Sequence, residues 1–237
     1  ITASNIAKND ACHGVVIFNE LDPLAFTLDR VVDYIDTGHN WAVQMQKVKP
    51  EAKYFLFFWN CLWRAGATLA HGHAQVLLTT GSHYIKVESM RLSALKYKQL
   101  YKSDYFEDLY QVHRSLGCAV EKDGIRILSY LTPLKFNEVM LISEAMDLTF
   151  KERIYNILAL FRDKLNVTCF NLGIFTPPLG PTLESWEGFP FIARIIDRGS
   201  YEDRSSDVGG FELFGATMVT SDPIRLAHQM KEYLSER

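Results

Sequence analysis

Between Ala65 and Thr80 the sequence reads AGATLAHGHAQVLLTT. Two histidines one residue apart, His71 and His73, are followed at the next alternate position by Gln75 and then by an apolar run. Side chains of extended backbone alternate between faces, so His71, His73 and Gln75 share one face while Ala74 and Val76 turn to the other. Three readings of that face are open. As a metal clip it offers imidazoles, but adjacent same-face histidines supply at most two ligands and no third is obvious. As a strand end carrying exposed histidines it has no chemistry. As a nucleophile with its support it is well equipped: a neutral imidazole whose second nitrogen is held by a carbonyl can attack phosphorus, and a glutamine amide can hydrogen-bond a non-bridging oxygen. The lead-in Ala65-Gly66-Ala67-Thr68 favours the last reading, because small residues let backbone N–H groups and a ligand approach closely.

The elements that must position this segment follow from periodicity. GVVIF at 14–18 reads as a strand, NELDP as a turn, and 24–46 has apolar positions at helical spacing. KYFLFFWNCLW (53–63) is aromatic and strand-like, and HAQVLLTT resumes an extended pattern after the small loop. Residues 87–116 suit helix, interrupted near Ser103-Asp104. The order then restarts with strands at 125–133 and 137–143, a helix over 152–165, a Pro/Gly-rich excursion from VTCFNLGIF onward, and FPFIARII at 189–196. Setting the two halves side by side pairs Asn60 with Asn171, and His71, His73 and Gln75 with Phe189, Phe191 and Ala193. This suggests a duplication in which only the first copy keeps polar chemistry.

The chain has 237 residues, 48% hydrophobic and 13% aromatic, enough for a sizeable core. With 25 Lys+Arg against 28 Asp+Glu, a formal charge of -3 and no basic block, binding to a nucleic-acid polymer has no support. The longest apolar stretches are strand-sized, short of the roughly 20 residues that span a bilayer, so no membrane partner is expected. Cys12, Cys61, Cys118 and Cys169 form no CxxC pair, which argues against a disulfide framework or a cysteine zinc site and makes a reducing cytoplasm the default location. No metal or organic cofactor is expected. The sequence opens on Ile1 without Met, so an N-terminal piece is expected to have been trimmed or omitted. Arg64, beside the small loop, could face a phosphate. Lys135 and Arg194 are the basic candidates in the second half, and Arg194, inside an apolar strand, requires a partner or an anionic ligand. His13, His39, His83, His113 and His228 lack spacing partners and read as structural, and Cys61 reads as core.

The pattern N-x5-G-A-T-x2-H-G-H-A-Q, from Asn60 through Gly66 to Gln75, resembles the active-site segment of the histidine-triad (HIT) superfamily in its galactose-1-phosphate uridylyltransferase branch, with ATP adenylyltransferases (diadenosine tetraphosphate phosphorylases) as relatives. Weaker likeness runs through FNLGIF, FIARIIDRG and GGFELFGATMV. The resemblance implies an α+β protein of two HIT-like units, each an antiparallel sheet with packed helices: residues 1–118 carrying HGHAQ, and 119–237 a degenerate unit without the histidine pair. It implies a nucleotidyltransferase in which His73 accepts the nucleotidyl group, His71 orients it and Gln75 holds the transferred phosphate. Asn60, Gly66 and Thr68 would complete the phosphate and loop contacts. The substrate would be a nucleotide or nucleotide-sugar and the acceptor a phosphate-bearing molecule, and the assembly is compatible with a homodimer. Hydrolysis or phosphorolysis of a dinucleoside polyphosphate, or nucleotide binding without catalysis, are the alternatives. The sequence departs from the branch in three places. Gly72 replaces the proline between the histidines, which should loosen the turn. Asp22 stands about where the branch's zinc site lies, without a CxxC. Phe189-Pro190-Phe191 and Gly209-Gly210 stand where the branch has polar residues for the sugar phosphate, predicting an apolar wall and a poor fit for hexose 1-phosphates.

Overall fold

A computed structural model describes residues 1–5, 12–205, 207–209, 219 and 221–236. In chain order its elements are β1 (Thr2–Ser4), β2 (Cys12–Ile17), α1 (Leu28–Val48), β3 (Ala52–Cys61), a 3-10 turn at Trp63–Ala65, β4 (His73–Thr80), α2 (Ile85–Tyr101), α3 (Tyr105–Ser115), β5 (Ala119–Lys122), β6 (Ile125–Ser129), β7 (Glu138–Ser143), α4 (Leu148–Asp163), β8 (Phe170–Phe175), β9 (Phe191–Asp197) and α5 (Pro223–Ser235). The periodicity locates α1, the break between α2 and α3, and the strands β2, β3, β4, β6, β7 and β9. It treats β8 as part of an excursion and gives no signal for the short strands β1 and β5. The segment GGFELFGATMV lies almost wholly outside the described residues.

The class is α+β, and the antiparallel strands join in one nine-stranded sheet of order β1-β2-β4-β3-β8-β9-β7-β6-β5. Its centre is the β3–β8 pair. The run β2-β4-β3 on one side is repeated in reverse as β8-β9-β7 on the other, with α1 and α4 as the corresponding connections. Asn60 and Asn171 are direct partners across the central pair.

Strand β3 alternates strictly from Phe55. Phe55, Phe57 and Trp59 are buried toward the layer of α1, α4 and α5, while Leu56, Phe58 and Asn60 face the other way. Trp59 sits at the middle of that layer, with Phe18 and Phe170 rings both at 4.9 Å and Phe26 at 5.5 Å in edge-on contact. Helix α1 begins at Thr27, whose hydroxyl accepts from the Arg30 N–H, and lays Val31, Ile35, Gly38 and Ala42 on the sheet at helical spacing. Gly38 allows the closest approach: a Cβ there would stand 2.9 Å from both Phe57 Cδ2 and Val76 Cγ1. Both neighbours are buried and have no space to retreat into. The Gly38→Ala substitution should therefore destabilise the protein by about 1–2 kcal/mol despite the better helix propensity of alanine. A melting temperature lower by roughly 2–8 °C is expected, and calorimetry showing no loss would contradict this packing.

The opposite face is covered unevenly. Val87 of α2 and Phe106 and Tyr110 of α3 pack with Leu128, Met140, Ile142, Phe189 and Ile192 in a second apolar cluster over the β5-β6-β7-β9 end. The excursion after β8 is pinned beside it: Leu179 N–H donates to the Lys53 carbonyl, and both Tyr54 Oη–H and Trp186 Nε1–H donate to Glu184 Oε1 at 2.6 and 2.9 Å. Burial opposes the Glu184 charge, but these donors outweigh it and hold the carboxyl down to about 2. The same face of β4, β3 and β8 carries two neighbouring cavities, one on each side of the β4–β3 seam.

Candidate active site

The HGHAQ segment crosses from loop to strand at His73. Its first histidine is fixed outside the strand, where His71 Nε2 lies 2.9 Å from the Phe18 carbonyl oxygen. A carbonyl can only accept, so Nε2 carries the proton. The next link is made by the backbone of the same residue: His73 Nδ1 lies 2.8 Å from the His71 carbonyl oxygen. By the same reasoning Nδ1–H is the donor, and the neutral ring keeps an unprotonated Nε2, the arrangement a nucleophilic imidazole requires. His71, His73 and Gln75 line one cavity of about 420 Å³ together with Val15, Ile17 and Thr68. The three polar heads thus share one cavity, His73 and Gln75 from alternate positions of the strand and His71 from the loop before it.

Gln75 is held by His13, which the sequence reads as structural, and by Asn5, which carries no signal there. Its Oε1 lies 2.8 Å from His13 Nε2 and accepts from Asn5 Nδ2 at 3.3 Å. With the oxygen so engaged, the amide NH₂ is the group left to donate into the cavity. His13 is buried on β2, and its register opposite Leu77 brings its ring beside Gln75. A pairing 62 residues apart has no local signature.

The small loop turns sharply behind these groups. Leu62 and Gly66 have φ of 64° and 95°, and Gly66 N–H donates to the Trp63 carbonyl. Asn60 faces the loop, its Nδ2 lying 3.8 Å from where a Gly66 Cβ would be. Thr68 is exposed on the cavity rim. Arg64 turns away: its side chain is 9% exposed, and it donates through Nε to the Arg198 carbonyl at 2.7 Å and through Nη1 to the carbonyls of Asp203 and Ser205. Its observed work is to tie the loop after β9 to the turn after β3.

On the far side of β3 a second cavity of about 410 Å³ is lined by Phe58, Asn60, Asn171, Phe175, Lys86 and Arg194, among others. Phe58 is the direct partner of Gln75, so the two cavities adjoin. Arg194 has the partner its setting demands: Nε donates to the fully buried Glu138 at 2.5 Å, and the guanidinium lies over the Tyr130 ring. Lys135 is engaged elsewhere, on the Asp207 carbonyl.

The register corrects the pairing of the two halves. Two residues before Asn60, Phe58 faces Gln75; two residues before Asn171, the Cys169 carbonyl accepts from the Arg198 N–H. Through the Asn60–Asn171 centre, His71, His73 and Gln75 therefore answer Arg194, Ile196 and Arg198. The alignment on Phe189, Phe191 and Ala193 is displaced by five residues, an odd number, which exchanges the faces. Phe191 and Ala193 point into the α1–α4 core, and Phe189 is buried in the second cluster against Trp186 and Phe106. They form no wall of the site; the second half presents Arg194 to the second cavity, with Arg198 behind Asn171.

The chain matches no protein-family model and no curated protein. Its three-dimensional structure does match solved ones. A uridylyltransferase mutant superposes with a TM-score of 0.74 at 15% identity over 94% of this chain and 78% of that one. A GalT-like protein from Arabidopsis thaliana gives 0.74 at 18% identity over 98% and 82%. An ADP-glucose phosphorylase from the same plant, solved with bound ADP-glucose, gives 0.70 at 19% identity over 93% and 73%. This is the uridylyltransferase fold.

Within the uridylyltransferase fold, the departure at Gly72 takes on a different meaning from the one its residue type suggests. The turn is not loosened. Gly72 N–H donates to the Leu21 carbonyl at 3.3 Å, its carbonyl accepts from Phe18 N–H at 3.0 Å, and a Cβ would stand 2.6 Å from Phe18 Cδ2 and 3.3 Å from Pro23 Cα. Phe18 is itself stacked on Tyr34 at 3.5 Å, so the glycine is required by the close approach of the 18–23 segment. Among the described residues no group of three or more His, Cys, Asp or Glu side chains is placed to hold a metal ion. Among them, too, no helix is long and apolar enough to cross a membrane.

Proposed function

We propose that the protein is a nucleotidyltransferase that moves a nucleoside monophosphate through a covalent bond to His73 Nε2. The observation that carries this is the Nδ1–H bond to the His71 carbonyl, which leaves Nε2 unprotonated in a cavity beside the Gln75 amide. The Nε2 lone pair attacks the α-phosphorus of a nucleotide donor, and the bond to the bridging oxygen breaks with its electron pair leaving on the departing phosphate. The imidazolium so formed keeps its Nδ1 proton on a carbonyl oxygen, which stabilises the charge. Gln75, and Asn60 with the loop around Gly66 and Thr68, meet the negative charge on the non-bridging oxygens. A phosphate oxygen of the acceptor then attacks phosphorus from the other side and Nε2 leaves. The apolar residues Val15 and Ile17 beside the histidines suit the base and ribose of the donor.

The acceptor occupies the adjoining cavity, where Lys86 offers positive charge beside the Arg194–Glu138 pair and the apolar Leu56, Phe58 and Phe175. An apolar wall leaves sugar hydroxyls without the hydrogen bonds water gave them, at about 1–3 kcal/mol each, or roughly ten- to a hundredfold in relative binding. Galactose 1-phosphate should therefore be a poor acceptor and orthophosphate a better one, which favours phosphorolysis among the possible outcomes. Initial rates with UDP-glucose or ADP-glucose as donor and either acceptor decide this. Efficient formation of a nucleotide-galactose would contradict it.

A further inference from the structure

Arg198, Asn171 and Asn60 form a chain of side chains across the centre of the sheet. Arg198 leaves β9 after Asp197, and Asp207 accepts from its Nε and, at 2.9 Å, from its Nη2. That fork leaves Nη1, which donates to Asn171 Oδ1 at 2.8 Å. Asn171 Nδ2 donates in turn to Asn60 Oδ1 and to the Ala65 carbonyl, both at 2.8 Å. Asn60 Nδ2 points at Gly66 and the cavity.

The directions of these bonds are forced. A guanidinium has donors and no acceptor, so the atom it meets on Asn171 must be the oxygen. A carbonyl only accepts, so the atom that meets Ala65 must be the nitrogen. Asn171 is thus locked at both ends, and its NH₂ can be met only by the oxygen of Asn60. An amide has two chemically opposite ends, and what remains for Asn60 to present to the site is its donor.

We propose that Arg198 and Asn171 are positioning residues for nucleotidyl transfer, setting through this relay the orientation in which the Asn60 amide donates to the transferred phosphate. The inference rests on the transfer reading above. It also gives the second half of the chain a task in the chemistry of the first, and it explains why a half-buried arginine stands at the position corresponding to Gln75. Arg198 is held in place by Asp207, whose carboxyl the guanidinium holds below the usual carboxylate range.

The test inverts the relay while keeping its shape. In Asn171→Asp the carboxylate still pairs with Arg198 but can no longer donate, so Asn60 must turn its NH₂ toward it and its oxygen toward the site. Formation of nucleotidyl-protein should slow roughly ten- to a hundredfold, with the KM for the donor nucleotide unchanged. In an Asn60→Ala background the same change should cost no further rate, because it acts only through Asn60. Arg198→Met should slow the step likewise, and Arg198→Lys, which still donates, should retain most of it. The amide orientation is read independently of catalysis by the nuclear Overhauser contact between the Asn60 NH₂ and the Gly66 α-protons, present in the wild type and lost in Asn171→Asp. Persistence of that contact in Asn171→Asp overturns the relay even where transfer is intact. So do losses that multiply in the Asn60→Ala background, or an Arg198→Lys protein as slow as Arg198→Met. A wild-type protein that takes up no nucleotidyl group fails the transfer reading itself, a result the amide contact does not share.

Discussion

His73→Ala is expected to abolish the nucleotidyl adduct and to lower turnover by about 10⁴-fold or more, the scale seen when a covalent nucleophile is removed. His71→Ala is expected to behave differently, although both rings line the same cavity. The group that fixes the His73 tautomer is the backbone carbonyl of residue 71, and this survives replacement of the side chain. What His71→Ala loses is the bond from its own Nε2 to the Phe18 carbonyl, which moors the loop. A single such bond corresponds to roughly tenfold in rate. Rapid-quench measurement of adduct formation distinguishes the cases. A His71→Ala protein with no adduct, or a His73→Ala protein that still forms one, would reverse the roles.

Gly72→Pro should be the most damaging substitution in the motif apart from the nucleophile, although proline is the residue the uridylyltransferase branch carries there. It removes the N–H that donates to Leu21 and forces ring atoms into the space of Phe18 and the Pro23 backbone. Phe18 cannot move aside, being stacked on Tyr34 and edge-on to Trp59. Overpacking and the orphaned carbonyl together amount to about 2–5 kcal/mol, a fall of roughly 5–15 °C in melting temperature for a chain of this size. Because the displaced Phe18 carbonyl is the anchor of His71, activity should fall further than stability alone accounts for. A Gly72→Pro protein with unchanged melting temperature and activity would show that the 18–23 segment is free to adapt.

How much of this was legible beforehand depended on how local each signal was. Alternation in HAQVLLTT was enough to place His73 and Gln75 on one face of β4, while His71 reaches the same cavity from the loop before the strand. The apolar spacing of α1 and the turn residues around Ser103-Asp104 were equally local, and Asp104 caps α3 by accepting from the Glu107 N–H. The register between strands from opposite halves was not local. Asn60 and Asn171 could be matched because each follows an aromatic residue in a strand-like stretch, but pairing the strands after them needs the bonds across the sheet, which align Gln75 with Arg198. A slip of five residues in that pairing hid Arg198 and assigned Phe191 to a site it faces away from. His13 lacked a spacing partner because its partner is on another strand. Gly72 looked permissive because a sequence shows the absence of a side chain but not what fills the space.

The most direct measurement of the central claim is intact-mass spectrometry of the wild-type protein after incubation with UDP-glucose, ADP-glucose and dinucleoside polyphosphates, followed by peptide mapping under conditions that preserve phosphoramidate bonds. The predicted result is a gain of one nucleotidyl group carried on His73 and discharged when orthophosphate is added. No adduct with any donor, or an adduct on His71, would contradict it.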